Sequence, residues 1–153
     1  MIMSWRHVGA FRATVHSRTG NNPEKRYSLE ANPRLLRYTL QDLDTGSVEQ
    51  FDGEARARSF NGSTETVHPG EMTPEAVAAR LAFPMSLLIW GRAIDNYRFT
   101  GAVTRSGDHT AIGIEHVRDK SLHGSLILDE RRRMLTKLES AADYLSYEDI
   151  SAI

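Results

Sequence analysis

Apolar and polar residues alternate one for one in segment after segment of this chain, and a period of two leaves little room for anything but antiparallel sheet. Over residues 5–16, Trp5, Phe11, Ala13 and Val15 stand against Arg6, Arg12 and Thr14. Successive side chains of an extended chain point to opposite faces, so this reads as a half-buried strand, with Gly9 as a candidate bulge. A polar loop over 17–26 leads into a second strand with Tyr27, Leu29 and Ala31 inward. Pro33 then opens a turn, and Leu36, Tyr38 and Leu40 share the inner face of the next strand while Arg37 and Thr39 face out. Matching the apolar faces pairs Ala31 with Leu36, Leu29 with Tyr38 and Tyr27 with Leu40.

Turn signals punctuate the next stretch. Asp44-Thr45-Gly46, Asp52-Gly53 and Asn61-Gly62 separate short strands. The register of residues 47–51 stays open, because Val48 and Phe51 have opposite parity. In the second half, Tyr97, Phe99, Gly101 and Val103 alternate with polar neighbours, as do Ile112, Ile114 and His116, and then Leu122, Leu126 and Leu128. Pairing Ile112 with Leu126 and Ile114 with Gly124 matches faces. Met134 and Leu138 continue the surface, and residues 141–150, with Leu145 and Tyr147, read as a final strand in preference to a short helix. The sum is about ten strands, and a sheet that large curls or closes.

Between the two strand sets the pattern changes. Thr73-Pro74-Glu75 reads as a helix start, with Thr as N-cap, Pro at the first helical position and an acid in the first turn. A helix to about Ala82 is expected, then a second helical segment over 84–90 closed by Gly91. That second segment is apolar nearly all round. Each of its large side chains is worth roughly 1.5–3 kcal/mol when buried, and left in water they would form an adhesive patch. The expected architecture is therefore α+β but mostly β. A large incurved antiparallel sheet spans 1–153 as a single half-barrel domain, and a helical insertion at about 73–91 covers its concave face.

Composition narrows function mainly by exclusion. The net charge of −1 lacks the basic surplus that a general nucleic-acid binder uses to neutralise phosphates. With no cysteine there is no disulfide, thiolate metal site or Cys nucleophile. No stretch approaches the roughly 18 apolar residues of a membrane span. The expected location is cytoplasmic if Met1 is the true start, and periplasmic or envelope-bound if a leader has been lost.

The six histidines show no ligand spacing such as His-Glu-x-x-His, and no Gly-x-Ser-x-Gly elbow is present. No catalytic residue, metal site or cofactor is expected. Arg131-Arg132-Arg133 reads as a solvated turn, and Arg56 and Arg58 as one face of an edge-like strand. What remains is apolar. Phe11, Tyr27, Leu29, Leu36, Tyr38, Leu40, Leu88, Trp90, Ile112, Ile114, Leu126 and Leu128 form one candidate surface. Pattern alone makes it a filled core; the alternative is a cavity that takes an apolar ligand.

A family resemblance bears on that choice. Pro33, then Leu36-Arg37-Tyr38, then Phe51-Asp52-Gly53 are similar to the core signature of the bacterial LolA/LolB-like lipoprotein carriers and their mycobacterial lipoprotein relatives. The run Gly124-Ser125-Leu126-Ile127-Leu128-Asp129, with Met134-Leu135 after it, resembles their late strand–Asp–turn–strand pair. The resemblance implies an incurved half-barrel under a helical cover. It also implies non-enzymatic carriage of lipid acyl chains, with a structural or lid-contacting role for Arg37. Two departures stand beside it: Trp5 already reads as strand where the family carries a leader and a helix, and no Cys is available for acylation. On this basis a continuous cavity lined by Leu36, Tyr38, Leu88 and Trp90 is expected, with an apolar ligand such as a lipid acyl chain and no enzyme activity. The alternative is an interaction or sensor module with a filled core and a protein partner.

Overall fold

The computed structural model describes residues 8–68 and 76–153. Eleven antiparallel strands form one sheet: β1 (Phe11–Thr19), β2 (Lys25–Asn32), β3 (Arg37–Asp42), β4 (Val48–Asp52), β5 (Ala57–Phe60), β6 (Ser63–Thr66), β7 (Tyr97–Ser106), β8 (His109–His116), β9 (His123–Asp129), β10 (Met134–Ser140) and β11 (Asp143–Ala152). Their order is β6-β5-β4-β3-β2-β1-β11-β10-β9-β8-β7. The chain starts in the middle, steps outward to one edge, crosses to the other edge and steps back. Its first and last strands then pair at the centre, from Phe11 opposite Ala152 to Thr19 opposite Asp143. Residues 141–150 belong to a strand, as preferred, whereas the part of the first expected strand over 5–7 lies outside the described residues.

The expected α+β architecture with a helical cover does not form. Residues 73–75, the expected helix start, lie outside the described residues. Beyond them runs a strap of single 3₁₀ turns, Val77–Ala79 and Pro84–Ser86, with no α-helix. Leu87 is already extended. Gly91 caps no helix; its φ of 84° lies at a bend. The reason lies in the apolar pattern. A helix apolar all round, lying on a sheet, would turn part of its circumference to water. Short turns and extended pieces instead send Leu81, Phe83, Leu87 and Ile89 into the sheet, each at most 3% exposed. They join Val15, Leu29, Ile114, Leu126 and Tyr147 in one core cluster.

Burying irregular chain requires partners for its backbone groups, and side chains supply them. The Tyr147 hydroxyl accepts from Ala82 N at 3.2 Å and donates to Ala78 O at 2.9 Å. Asp95 Oδ2 accepts from Trp90 N at 2.6 Å and from Arg92 N at 2.9 Å, folding the end of the strap back toward β7.

The register expected for the second half is found: Ile112 faces Leu126 and Ile114 faces Gly124. Between β2 and β3 the ladder is offset by two residues from expectation, with Ala31 opposite Tyr38, Leu29 opposite Leu40 and Tyr27 opposite Asp42. Pro33–Leu35 form a 3₁₀ turn capped by Asn32, whose Oδ1 accepts from Leu35 N, and Leu36 completes it in the left-handed conformation with φ 53°. A shift of two preserves the face, so Tyr38 and Leu40 stay inward, but Leu36 leaves the wall and is 37% exposed.

Bulges account for the other departures. One extra residue in β10, at Thr136, lets Leu135 and Leu138 both face inward, where strict alternation had paired Met134 with Leu138. The bulge expected at Gly9 falls instead across from Arg12–Thr14, in β11, where Asp149 takes φ 51°.

Two measurements test the strap's anchoring. Tyr147→Phe keeps the ring but orphans two buried backbone groups, and should lower stability by about 2–4 kcal/mol in urea denaturation; a change within about 0.5 kcal/mol would refute the anchor. Burial by itself would raise the Asp95 carboxyl, but the Arg92 N–H, the Arg92 guanidinium and the Trp90 N–H outweigh it and hold the group below its usual range. A depressed carboxyl stabilises above its unfolded pKa of about 3.9, and that contribution is lost as pH falls through the folded value. Asp95→Asn should therefore cost about 2 kcal/mol at neutral pH, with the gap to wild type closing below roughly pH 4 in parallel denaturation series.

Candidate functional site: an open groove beside the strap

Filling by the strap is uneven. Against β9 and β10, among Phe11, Leu81, Leu128 and Leu135, only about 10 Å³ remains, at or below the roughly 10–15 Å³ needed to hold one water. At the other end a groove of about 770 Å³ stays open between β1–β5 and the start of the strap. Its floor is sheet: Ser17 and Thr19 from β1, Lys25 and Tyr27 from β2, Leu40 and Asp42 from β3, and Glu49 from β4. Phe60, Pro23 and Ala76–Val77–Ala78 form its sides. Two large apolar side chains in this wall are poorly covered, Phe60 at 55% exposure and Val77 at 44%.

The groove's polar groups are held in place. Opposite Leu40, Glu49 turns inward, which resolves the parity conflict of β4 in favour of Phe51 and against Val48. An inward carboxylate needs partners. It accepts from the Tyr38 hydroxyl and from Arg58 Nε at 3.0 Å, while the Tyr38 hydroxyl also accepts from Ala76 N at 3.1 Å. One carboxylate thus links β3, β4, β5 and the strap. Burial, then the bond to Glu49, raises the Tyr38 hydroxyl well above its ordinary range, so it stays protonated. Tyr27 is raised too, by burial and then by the nearby Asp42, Glu49 and Asp44 carboxylates. The N–H groups of Thr45 and Asp44 lower Asp42, which faces Lys25 at 3.9 Å.

A second, smaller cavity of about 130 Å³ adjoins the far end of the strap. Leu87, Leu88, Ile89, Leu138 and Leu145 line it, together with Arg18, Arg80, Tyr97 and Asp143. The Tyr97 hydroxyl donates to Asp143 Oδ2 at 2.7 Å and lies 2.7 Å from Ser140 Oγ. Burial and the Asp143 carboxylate, opposed by Ser140, push that hydroxyl up to about 12.

The twelve residues expected to form one apolar surface divide into several groups. Phe11, Leu29, Tyr38, Ile114, Leu126 and Leu128 are core beneath the strap. Tyr27 and Leu40 line the open groove, and Leu88 lines the smaller cavity. Ile112 is half-buried at the core's margin. Trp90 packs edge-on against Phe99 with centroids 5.9 Å apart and donates from Nε1 to Pro84 O. Leu36 stands on its exposed turn, so Leu36, Tyr38, Leu88 and Trp90 do not meet around one cavity.

Arg37 pairs across the ladder with Asp52, Nε to Oδ2 at 3.1 Å, and reaches Glu54 at 3.1 Å. Its two motifs form one unit: the Gly53 N–H donates to Leu36 O at 2.9 Å, and a Cβ on Gly53 would lie 2.6 Å from the Leu36 Cβ. Asp52-Gly53 is accordingly the start of a four-residue connection and not a two-residue hairpin. Asn61-Gly62 is a two-residue hairpin, with φ of 48° and 85°. Pattern reading missed Glu49, Phe60 and Val77; the opposite parity of Val48 and Phe51 was the signal that something polar faced inward. No helix among the described residues is long and apolar enough to cross a membrane, and no cluster of three or more metal-ligating side chains occurs among them.

No protein-family model and no curated protein matches the sequence. Solved structures do. An uncharacterized conserved protein from Thermus thermophilus superposes with a TM-score of 0.53 at 12% identity, over 99% of this chain and 85% of that one. The likeness is one of fold. The Pseudomonas aeruginosa MucA/MucB complex gives a TM-score of 0.48 at 15% identity, over 98% of this chain and 54% of the matched one, so this chain spans about half its length. The LolA superfamily, which the sequence motifs resemble, is represented among the matches by NE2245 from Nitrosomonas europaea, with a TM-score of 0.33 at 10% identity over 96% and 87% of the two chains. Of these three, only the Thermus protein is similar enough to support the fold.

The Glu49 hub is open to test. Glu49→Ala strands the Tyr38 hydroxyl and the Arg58 guanidinium and should cost about 2–3 kcal/mol in urea denaturation. Glu49→Gln, which keeps a neutral acceptor, should cost less; no loss in either variant would refute the hub.

Proposed function

We propose that the protein is a non-enzymatic binding module that takes an apolar chain, such as a lipid acyl chain, in the open groove beside the strap. The supporting observation is the groove itself: about 770 Å³ of space lined by Tyr27, Leu40, Phe60 and Val77, with two of those side chains left largely uncovered. Apolar surface in a concavity is where removal from water yields the most binding free energy. Apart from the smaller cavity at its far end, the chain's own strap covers the rest of the inner face, so the proposed ligand site is one end of the sheet and not its whole width.

The filled core favours a second reading, the interaction module. On that view the strap is permanent core and the recognition surface lies elsewhere; β7, an edge strand with Phe99 and Val103 exposed at 39% and 61%, offers unpaired backbone to an extended segment of a partner protein.

The two readings separate on one experiment. Native mass spectrometry of the purified chain and titration with an apolar fluorescent probe should show one ligand bound in the groove. Val77→Asp or Phe60→Asp should weaken probe binding by about tenfold, roughly 1.4 kcal/mol, with circular dichroism unchanged. Absence of probe binding in wild type would eliminate the groove reading.

A further inference from the structure

The first half of the sheet carries another concavity on its opposite face, away from the strap. About 540 Å³ lies open there over β2 to β6. One cross-strand row runs along it: Glu30 opposite Thr39, Thr39 opposite Gln50, Gln50 opposite Ser59 and Ser59 opposite Thr64. All five residues line the groove. Thr39 alternates with the inward Tyr38 and Leu40, and Gln50 with the inward Phe51, so the row faces outward. Neighbouring strands stand about 4.8 Å apart, and Thr39 to Thr64 therefore form four rungs over about 14 Å.

Charge is confined to the margins of this groove, and it is paired there. Glu30 accepts from Arg12 Nε at 3.0 Å, across the ladder to β1. Arg37 is held by Asp52 and Glu54, each at 3.1 Å. Between these pairs stand three hydroxyls and one carboxamide. Gln50 Nε2 reaches Thr39 Oγ1 at 3.5 Å, too long for a strong bond, and the Ser59 and Thr64 hydroxyls bond no described residue. A hydroxyl and a carboxamide each donate and accept. The row thus offers both kinds of group at every step and no net charge to neutralise.

That chemistry selects among ligands. An apolar chain would desolvate these groups without replacing their hydrogen bonds, and an ion would meet only counter-charges already committed. A neutral molecule rich in hydroxyls brings donors and acceptors repeated along its length, and can use them directly or through shared water. We infer that this outer groove binds a neutral linear oligosaccharide laid across the strands, its hydroxyls bonded to Thr39, Gln50, Ser59 and Thr64. The inference is independent of the ligand proposed for the inner groove.

Titration of the isotopically labelled full chain, followed by amide chemical shifts, tests it with cellohexaose, maltohexaose and chitohexaose as neutral probes and oligogalacturonate as the charged one. At least one neutral sugar should saturably shift the amides of the four rungs while those of Tyr27 and Val77 in the inner groove stay in place, and added salt should change little. Gln50→Val and the pair Thr39→Val and Thr64→Val keep strand preference and should each weaken that sugar at least tenfold, with circular dichroism unchanged. Thr64→Val alone, on the exposed edge strand, should weaken it about threefold where folding is not at stake. Gln41→Val, on the same face but outside the groove, should leave binding as it was. Failure of all three sugars to move these amides, undiminished binding in Gln50→Val and Thr64→Val, or tighter binding of the galacturonate would overturn the assignment. A Gly-Ser peptide that binds the same rungs more tightly than any sugar would overturn it in favour of a protein segment.

Discussion

Tyr147 stands where the sheet and the strap meet, and its hydroxyl performs two tasks at once: it accepts a hydrogen bond from Ala82 N and donates one to Ala78 O. Irregular chain is normally excluded from protein interiors because its backbone groups have no partners there. Here a fully buried tyrosine supplies them, and burial raises its hydroxyl well above the ordinary range, so the donor is never lost. Tyr38 does the same for Ala76, and the Asp95 carboxylate for Trp90 and Arg92. With these anchors a strap without helices can serve as the second layer of the core.

The topology makes that second layer necessary. A sheet that begins and ends at its centre leaves both edges free and one long connection between them, from β6 to β7. The connection has to cross the sheet, and the inner face offers apolar surface from both halves. One cluster containing Leu29 from the first half, Leu126 from the second and Ile89 from the strap is the outcome. Where the strap lies close, packing is tight enough to exclude water; where it starts, between Phe60 and Ala78, it leaves the groove. Core and candidate site are thus two ends of one apolar surface, distinguished by how far the strap reaches.

Much of the sheet was legible in the residues. Alternation placed Phe11, Ala13, Val15, Leu29, Tyr38, Leu40, Ile114 and Leu126 on the inner face, where all are buried. The β8–β9 register followed from matching faces. The offset of β3 by two residues was not legible, because it depends on Leu36 taking a left-handed conformation that closes the Pro33–Leu35 turn. The bulge at Thr136 was hidden for a related reason: an inserted residue changes which parity is buried, and only the partner strand reveals it. Of the groove, Tyr27 and Leu40 were readable as inward apolar residues, whereas Glu49, Phe60 and Val77 were not. Glu49 faces inward because Tyr38 and Arg58, distant in sequence, are there to receive it.

The order of residues along the chain carries the period of two, the turns that punctuate it and a mid-chain apolar segment that had to be buried. These are local properties, carried by side-chain order and backbone preference within a few residues. Packing of the whole chain makes this segment an anchored strap and not a helical cover, takes Leu36 out of the wall, and leaves the open space beside Tyr27 and Phe60. The strap depends on partners far along the chain, chiefly the Tyr147 and Tyr38 hydroxyls that meet its backbone, and the place of Leu36 depends on a turn whose left-handed closure alternation does not encode. No periodicity within the segment encodes hydrogen bonds supplied from outside it.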